Sequence, residues 1–123
     1  MSKVVDLNLD KKVLKAVEET PHEKFVPAVF ADIAWEPHFL PIECGQTMQP
    51  PDVIIRVVDA LHLLPSHTLL EVGTGTGFQT AVLARLVKKV RSIERYKTLV
   101  YAATVRLQGL GVVNAAINNA DGS

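Results

Sequence analysis

Apolar residues recur at helical spacing in two segments of the front half of the chain. Residues 11–20 (KKVLKAVEET) form such a pattern just ahead of Pro21, so we predict an amphipathic helix there. Residues 53–64 (VIIRVVDALHLL) form a second one, which predicts a helix with Asp52 as its N-cap and a stop at Pro65.

Proline dominates the segment between these two helices. This density is incompatible with a long helix and typical of an ordered loop with short turns, so we expect the segment to cover another part of the protein. The prolines concerned are Pro27, Pro37, Pro41, Pro50 and Pro51.

The back half of the chain alternates short apolar strands with helical patterns. Such an alternation predicts an α/β fold with a parallel sheet and right-handed crossovers, whose ligands bind at the carboxyl ends of the strands. TLLEV is expected to be a buried strand. The predicted order is strand TLLEV (68–72), helix FQTAVLARLVKK (78–89), strand VRSIE (90–94), helix YKTLVYAATVRLQ (96–108) and strand VVNAAI (112–117).

These patterns divide the chain near Pro65. Residues 1–64 form a helical and loop region, and residues 65–123 form the first half of a cofactor-binding β/α domain. Three strands make half of a doubly wound sheet, so we expect a truncated sheet. Its first strand is then expected to lie at an unpaired edge, with apolar faces uncovered.

Composition and charge narrow the function classes. The 123 residues are 48% hydrophobic, and 13 basic side chains balance 13 acidic ones, so no global field attracts nucleic acid or an anionic membrane. Cys44 is the single cysteine, and an isolated cysteine is typically a small packed side chain. The N-terminus lacks the apolar core of a signal peptide, and no apolar run is long enough to span a bilayer. We therefore expect a cytoplasmic protein, and we expect it to be a monomer. The four histidines show no metal-ligand spacing, so no metal site is expected.

Three glycines mark the corner between the first strand and the first helix of the β/α part. Gly73, Gly75 and Gly77 alternate there. Glycine permits positive φ and lets a ligand approach the main chain, while the following helix offers free N–H groups. A cofactor site is the favoured interpretation, and a tight turn without a ligand is the alternative.

The residues around this corner distinguish between cofactors. The dinucleotide fingerprint requires glycine at position 78, where this chain has Phe78. Glu71 precedes the glycines and would repel a pyrophosphate but attract the ammonium and sulfonium groups of S-adenosylmethionine. Glu94 ends the second strand, where a carboxylate can accept hydrogen bonds from both hydroxyls of a ribose. S-adenosylmethionine is therefore the predicted cofactor.

Several separated segments resemble the protein-L-isoaspartate O-methyltransferase family. LLEVGTGTGFQTAVLARLV looks like its cofactor motif, and SIER looks like its second-strand motif. FVPAVFADIAWEPHFLPIECGQTMQPP is similar to its N-terminal signature around G-Q-T, and ADGS to its adenine-side motif. The order of LPI, GQT and the cofactor loop is quite specific to this family.

The resemblance implies a Rossmann-like methyltransferase fold and a repair reaction. The methyl group of S-adenosylmethionine would be transferred to the carboxylate of L-isoaspartyl residues in damaged proteins. By position, the methionine part of the cofactor would contact the corner residues Glu71, Gly73, Thr74, Gly75 and Gly77. The ribose would contact Glu94 and Arg95, and the adenine would contact Asp121 and Gly122.

The same resemblance makes Gln46, Thr47 and Gln49 the candidate catalytic residues, because they would face the methyl-transfer pocket. Family members typically carry serine at the position of Gln49. Three function classes therefore stay open: an isoaspartyl repair enzyme, a cofactor-binding relative with altered or no methyl-acceptor activity, and a dehydrogenase.

Overall fold

The structure of the protein is a computed structural model that describes residues 9–120. Within this range, no helix has the length and apolar character needed to cross a membrane. Three short 3-10 helices, His22–Phe25, Ala28–Ile33 and Glu43–Gly45, lie in the proline-rich part. The described α-helices and strands are α1 (Lys11–Glu19), β1 (Leu40–Pro41), β2 (Thr47–Met48), α2 (Pro51–Ala60), β3 (Thr68–Val72), α3 (Phe78–Ala84), β4 (Lys89–Glu94), α4 (Lys97–Gly109) and β5 (Ala115–Asn119).

The first predicted helix is confirmed. Asp10 is its N-cap and accepts a hydrogen bond from the backbone N–H of Lys12, at 2.8 Å. This bond satisfies one of the N–H groups that a helix start leaves without a partner. Val13, Ala16 and Val17 form the buried face, which packs against the core.

The predicted N-cap of the second helix is wrong. The helix α2 begins at Pro51, so Asp52 lies inside its first turn and Pro50 is the N-cap. The proline ring fixes a φ suited to the first helical position, where the missing N–H has no intrahelical acceptor in any case. The helix also ends at Ala60, before the expected stop, and His62 follows in the left-handed region with φ of 49°.

The parallel sheet has the order β3-β4-β5. Among the described residues, β3 is an edge strand with one neighbour, as predicted. The strand has the predicted bounds but is not buried on both faces, because Leu70 is 65% exposed and Val72 is 64% exposed. These two side chains share the uncovered face of the sheet, while Glu71 points to the covered face.

The connections between the strands are helical, but their ends differ from the predicted ones. The helix α3 ends at Ala84, five residues before the expected end, and β5 begins at Ala115 instead of residue 112. The side chain of Asn114 links the two boundaries. Its amide donates to the carbonyls of Ala84 (2.8 Å) and Val87 (3.2 Å), so the end of α3 is tied to the residue directly ahead of β5.

Within residues 9–120, one core contains apolar residues from both sides of Pro65, including Val17 and Ile55 from the front part and Val82 and Val90 from the back part. The proposed division of the chain near Pro65 stays a prediction. The prediction that the proline-rich loop covers another part of the protein is supported by Phe25, which contacts Phe78 edge-on with ring centroids 5.7 Å apart.

His22 lies in the same aromatic cluster and is fully buried. Its ring is 4.3 Å from Phe78 and 5.4 Å from Trp35, measured between centroids. Neither ring nitrogen has a hydrogen-bond partner among residues 9–120. Burial lowers the pKa of His22 from 6.5 to about 4, because the charged form loses its hydration.

This burial predicts a loss of stability at mildly acidic pH. As the pH falls through 6.5, His22 takes up a proton in the unfolded chain, but in the folded chain only near pH 4. The unfolded state then binds more protons, so the free energy of unfolding falls as the pH falls. Between pH 7 and pH 5 we expect His22 to lower it by about 2 kcal/mol, measured by urea denaturation.

The matched control is His22→Phe, which keeps an aromatic ring in the cluster and removes the titrating group. Its free energy of unfolding should fall less between pH 7 and pH 5 than that of the wild type. Other titrating groups are common to both proteins and cancel in the comparison. Equal pH dependence of the two proteins would contradict the prediction.

Candidate functional site

The glycine corner predicted from the sequence forms a loop between β3 and α3. Gly73, Gly75 and Gly77 all have positive φ, at 87°, 57° and 93°. The loop is tied to the sheet by the backbone N–H of Gly73, which donates to the carbonyl of Ile93 at 2.8 Å. Residues other than glycine rarely adopt such φ values, so the backbone conformation itself explains why glycine occupies these three positions.

The three glycines differ in what surrounds them. A Cβ atom built on Gly73 or Gly75 would meet no atom of residues 9–120 within 4 Å. A Cβ on Gly77 would lie 3.0 Å from the Cβ of Ala103 on α4. Gly77 is therefore required for packing, while Gly73 and Gly75 leave open space beside the main chain.

A cavity of about 500 Å³ lies beside this loop. It is bounded by the glycine loop and α3 on one side and by the β1–β2 hairpin and α2 on the other. Its lining consists of Phe39, Ile42, Thr47, Met48, Gln49, Ile54, Val57, Glu71, Val72, Gly73, Thr74, Gly75, Thr76, Phe78 and Gln79.

Glu71 is the buried carboxylate of the cavity wall. It accepts hydrogen bonds from the hydroxyls of Thr80 and Ser92, the latter at 2.7 Å, and from the side-chain amide of Gln79 at 3.2 Å. Because the Ser92 proton goes to Glu71, the hydroxyl of Thr74 must donate to Ser92. The carboxylate is thus held rigidly at the corner by the protein's own donors.

Burial raises the pKa of Glu71, since the ionised form is desolvated. The three donors to its carboxylate oppose this rise, and the negative charge of Glu94 adds to it. A cationic group in the cavity would have the opposite effect and would favour the ionised carboxylate.

Glu94 is fixed at the end of β4 with both carboxylate oxygens directed at the backbone. One oxygen accepts from the N–H of Gly75 at 2.9 Å, and the other accepts from the N–H of Tyr96 at 3.1 Å. Each oxygen retains a second lone pair. Glu94 therefore links the glycine loop to the second strand.

The residue after Glu94 has a different environment. The guanidinium of Arg95 lies over the ring of Tyr96, 4.8 Å from its centroid, and donates to the Tyr96 hydroxyl at 2.8 Å. The structure places Glu94 and Arg95 outside the cavity lining, so their contact with a ribose stays a prediction. Asp121 and Gly122, the predicted adenine contacts, lie outside the described residues.

The β1–β2 hairpin, which carries the GQT segment, forms the opposite wall of the cavity. The strands β1 and β2 pair in antiparallel fashion, with Pro41 opposite Thr47. Thr47 and Gln49 line the cavity, whereas Gln46 lies outside its lining and donates its amide to the carbonyl of Cys44 at 3.3 Å. The catalytic role of these three residues stays a prediction. Cys44 is exposed, with φ of 63°, so the expectation that it is packed is wrong.

Two polar residues of this region were not found from the sequence. Asn119 donates its side-chain amide to the carbonyls of Glu94 (2.9 Å) and Arg95 (3.0 Å), and so fixes the turn after β4. Arg106 joins the glycine loop to the GQT segment through Thr76 and Glu43. Asn119 could have been found by its place at the end of the third strand, but nothing in the local pattern around Arg106 indicates its partners.

Comparison with known sequences gives a consistent assignment. The sequence profile of the family described as Protein-L-isoaspartate(D-aspartate) O-methyltransferase (PCMT) matches residues 2–123. A protein-L-isoaspartate O-methyltransferase 2 from Rhodopseudomonas palustris is 47% identical over 113 residues, which cover 92% of this chain and 52% of that relative. The relative from Parvibaculum lavamentivorans is 46% identical, with 93% of this chain and 51% of its own length covered. The chain thus spans about half the length of these curated relatives.

Solved structures confirm the α/β, Rossmann-like methyltransferase fold. A protein-L-isoaspartate O-methyltransferase structure superposes with a TM-score of 0.79 at 25% identity. The superposition covers 93% of this chain and 38% of the chain in that structure. A Plasmodium falciparum structure assigned to the same enzyme class, in complex with S-adenosyl-L-homocysteine, gives 0.75 at 20% identity over 97% of this chain and 58% of its own. Together with the family match, these similarities show that the chain belongs to the protein-L-isoaspartate O-methyltransferase family.

Proposed function

We propose that this chain binds S-adenosylmethionine in the cavity beside the glycine loop, and that the protein it forms methylates the carboxylate of L-isoaspartyl residues in damaged proteins. One observation carries the cofactor part: a Cβ atom built on Gly73 or Gly75 would have no described atom within 4 Å, and this open space lies next to the buried carboxylate of Glu71. A ligand can therefore approach the main chain where a negative charge favours a cationic group.

The proposed reaction places simple demands on the chain. Bound S-adenosylmethionine would supply a methyl group on a cationic sulfur. The acceptor carboxylate has an ordinary pKa of about 4 and is already ionised at neutral pH, so no residue has to remove a proton from it. The protein must instead orient the carboxylate and exclude water, and orientation can contribute roughly 7–11 kcal/mol to lowering a barrier.

The cavity wall formed by the hairpin suits this task. Thr47 can donate a hydrogen bond to an acceptor carboxylate from the side opposite the glycine loop, and the longer side chain of Gln49 lies in the same wall. Met48 is buried beneath them and anchors the hairpin in the core. The cytoplasmic location, the monomeric state and the isoaspartyl substrates remain proposals that rest on the amino-acid sequence and the family membership.

Calorimetric titration of the 123-residue chain with S-adenosylhomocysteine tests the cofactor part directly. NAD is the matched control, because the buried Phe78 occupies the position of the third glycine in a dinucleotide fingerprint. Binding of S-adenosylhomocysteine without binding of NAD is expected. Binding of NAD alone would support the dehydrogenase alternative and contradict the proposal.

The second candidate, a cofactor-binding relative with altered acceptor activity, is favoured by one observation: the long side chain of Gln49 lies in the acceptor wall. The test is a chimera in which this chain is followed by the remaining residues of the Rhodopseudomonas palustris relative. Methylation of an isoaspartyl peptide, but not of the matching aspartyl peptide, supports repair. A chimera that binds S-adenosylhomocysteine and methylates neither peptide would favour the second candidate.

Gln49→Ser in the chimera should raise kcat/KM for the isoaspartyl peptide about 10- to 100-fold. A serine hydroxyl donates to the acceptor carboxylate without filling the pocket, and one hydrogen bond to a charged group has roughly this effect. Steady-state methylation kinetics provide the measurement.

Gln108→Ser provides the matched control, since Gln108 is exposed on α4 and the same chemical change there leaves the cavity intact. Its kcat/KM should equal that of the unmodified chimera. A decrease on Gln49→Ser would show that glutamine itself contributes to acceptor binding.

A further inference from the structure

Arg106 connects two segments of the site, the glycine loop and the segment that carries GQT. It lies on α4, and its side chain is 18% exposed. Its Nη1 donates to the carbonyl of Thr76 in the glycine loop at 3.1 Å, and its Nη2 forms an ion pair with Glu43 at 3.4 Å. A single guanidinium thus joins the loop that faces the proposed cofactor to the segment that carries GQT.

Few other polar contacts join the β1–β2 hairpin to the glycine loop among the described residues. Between these segments, the structure records a 3.8 Å contact from the hydroxyl of Thr76 to the sulfur of Met48, and sulfur is a weak acceptor. Within the hairpin, β1 and β2 contain two residues each, and the backbone N–H of Ile42 donates to the carbonyl of Gln46 at 2.9 Å. Such a short ladder leaves the position of the hairpin dependent on external contacts.

The ion pair is well placed to supply that contact. The second carboxylate oxygen of Glu43 is buried and has no hydrogen-bond partner in the described part of the chain. Without the guanidinium, Glu43 would be left as a partly buried charge, which is costly unless the hairpin moves outward to hydrate it. Removal of Arg106 should therefore displace the hairpin more than it destabilises the sheet.

We propose that Arg106 is a positioning residue that holds the β1–β2 hairpin against the glycine loop. It thereby sets the distance between the two walls of the cavity, the hairpin wall that would face the methyl acceptor and the glycine-loop wall that would face the cofactor. This inference rests on the proposed function for its significance. Arg106 lies outside the cavity lining and acts through Glu43 and Thr76. The planar fork of arginine reaches both acceptors at once, which a lysine ammonium cannot reproduce with the same geometry.

Hydrogen exchange of the 123-residue chain, followed by mass spectrometry, tests this role. Arg106→Met should accelerate exchange in residues 40–49 about tenfold, while residues 89–94 of β4 serve as the internal reference and stay protected. Arg106→Lys should give intermediate protection of the hairpin, because it retains the charge opposite Glu43. Faster exchange in the hairpin and in β4 alike would indicate general destabilisation and overturn the proposal, as would an unchanged hairpin.

Glu43→Gln provides the partner test. If Glu43 is the residue through which Arg106 acts, Glu43→Gln should also accelerate hairpin exchange, and the double variant should exchange no faster than Arg106→Met alone. Additive effects would overturn the proposed link. Titration of the wild-type chain with S-adenosylhomocysteine separates the two hypotheses: absence of binding contradicts the proposed function, while the exchange pattern still decides the role of Arg106.

Discussion

Replacing Gly77 with alanine is expected to lower the free energy of unfolding by about 3 kcal/mol, measured by urea denaturation. Two costs combine at this position. The φ of 93° is unfavourable for any residue with a Cβ, and that Cβ would lie 3.0 Å from the Cβ and 3.5 Å from the Cα of Ala103. Ala103 is fully buried on α4 and has no side-chain torsion by which it could move away.

Two further variants separate these costs. Gly75→Ala introduces the backbone strain at a φ of 57° without a steric conflict, so its loss should be smaller. Ala103→Gly removes the conflicting methyl group, so it should destabilise the Gly77→Ala variant less than it destabilises the wild type. If Gly75→Ala and Gly77→Ala were equally destabilising, the close packing between the loop and α4 would have no energetic importance.

The sequence predicted the type and order of the elements around the sheet, but not where each helix ends. The apolar pattern of FQTAVLARLVKK continues through Leu86 and Val87, and both side chains do pack against the core. The helix nevertheless stops at Ala84. The chain leaves the helix where Arg85 reaches back to α1, donating to the hydroxyl of Thr20 at 2.9 Å and to the carbonyl of Glu19 at 3.1 Å. A contact across 65 residues leaves no trace in the local periodicity.

Burial was harder to predict than strand position. The residues of TLLEV are apolar enough for a strand covered on both faces, and the register with β4 leaves Leu70 opposite Arg91 on the open face. Both crossover helices follow consecutive strands in the order β3, β4, β5, which places them on the same face of the sheet. The composition of the strand alone cannot reveal which face is covered, because this depends on where the crossover helices pack against the sheet.

The candidate site was predictable to the extent that it depends on local chemistry. Positive φ explains why glycines occupy the corner, and the ends of β3 and β4 bring Glu71 and Glu94 to the same region of the sheet. Glu94 was expected to contact a ribose, yet its first observed partners are the backbone N–H groups of Gly75 and Tyr96. Such a role depends on the fold of the glycine loop, which brings residue 75 next to a strand end 19 residues further along.

The largest expected effect on binding comes from Gly75→Val, which should weaken S-adenosylhomocysteine binding by at least about 100-fold in calorimetric titration. No atom of residues 9–120 would contact the first side-chain atom at this position, so the valine methyl groups enter the open space in which the ligand is proposed to lie. The backbone N–H of residue 75 can still donate to Glu94, because the substitution leaves the main-chain donor in place. Loss of binding would therefore result from occupied volume, not from a lost hydrogen bond.

Gly111→Val is the control that isolates this cause. Gly111 also has positive φ, at 72°, and a Cβ atom added there would meet no described atom within 4 Å, but it lies in the turn after α4, outside the cavity lining. Valine there carries a similar backbone strain, roughly 1–2 kcal/mol, so both variants should lose similar stability in urea. Only Gly75→Val should lose the ligand. If Gly75→Val bound S-adenosylhomocysteine as tightly as Gly111→Val, the main chain of the glycine loop would not be in contact with the cofactor, and the placement of S-adenosylmethionine in this cavity would have to be abandoned.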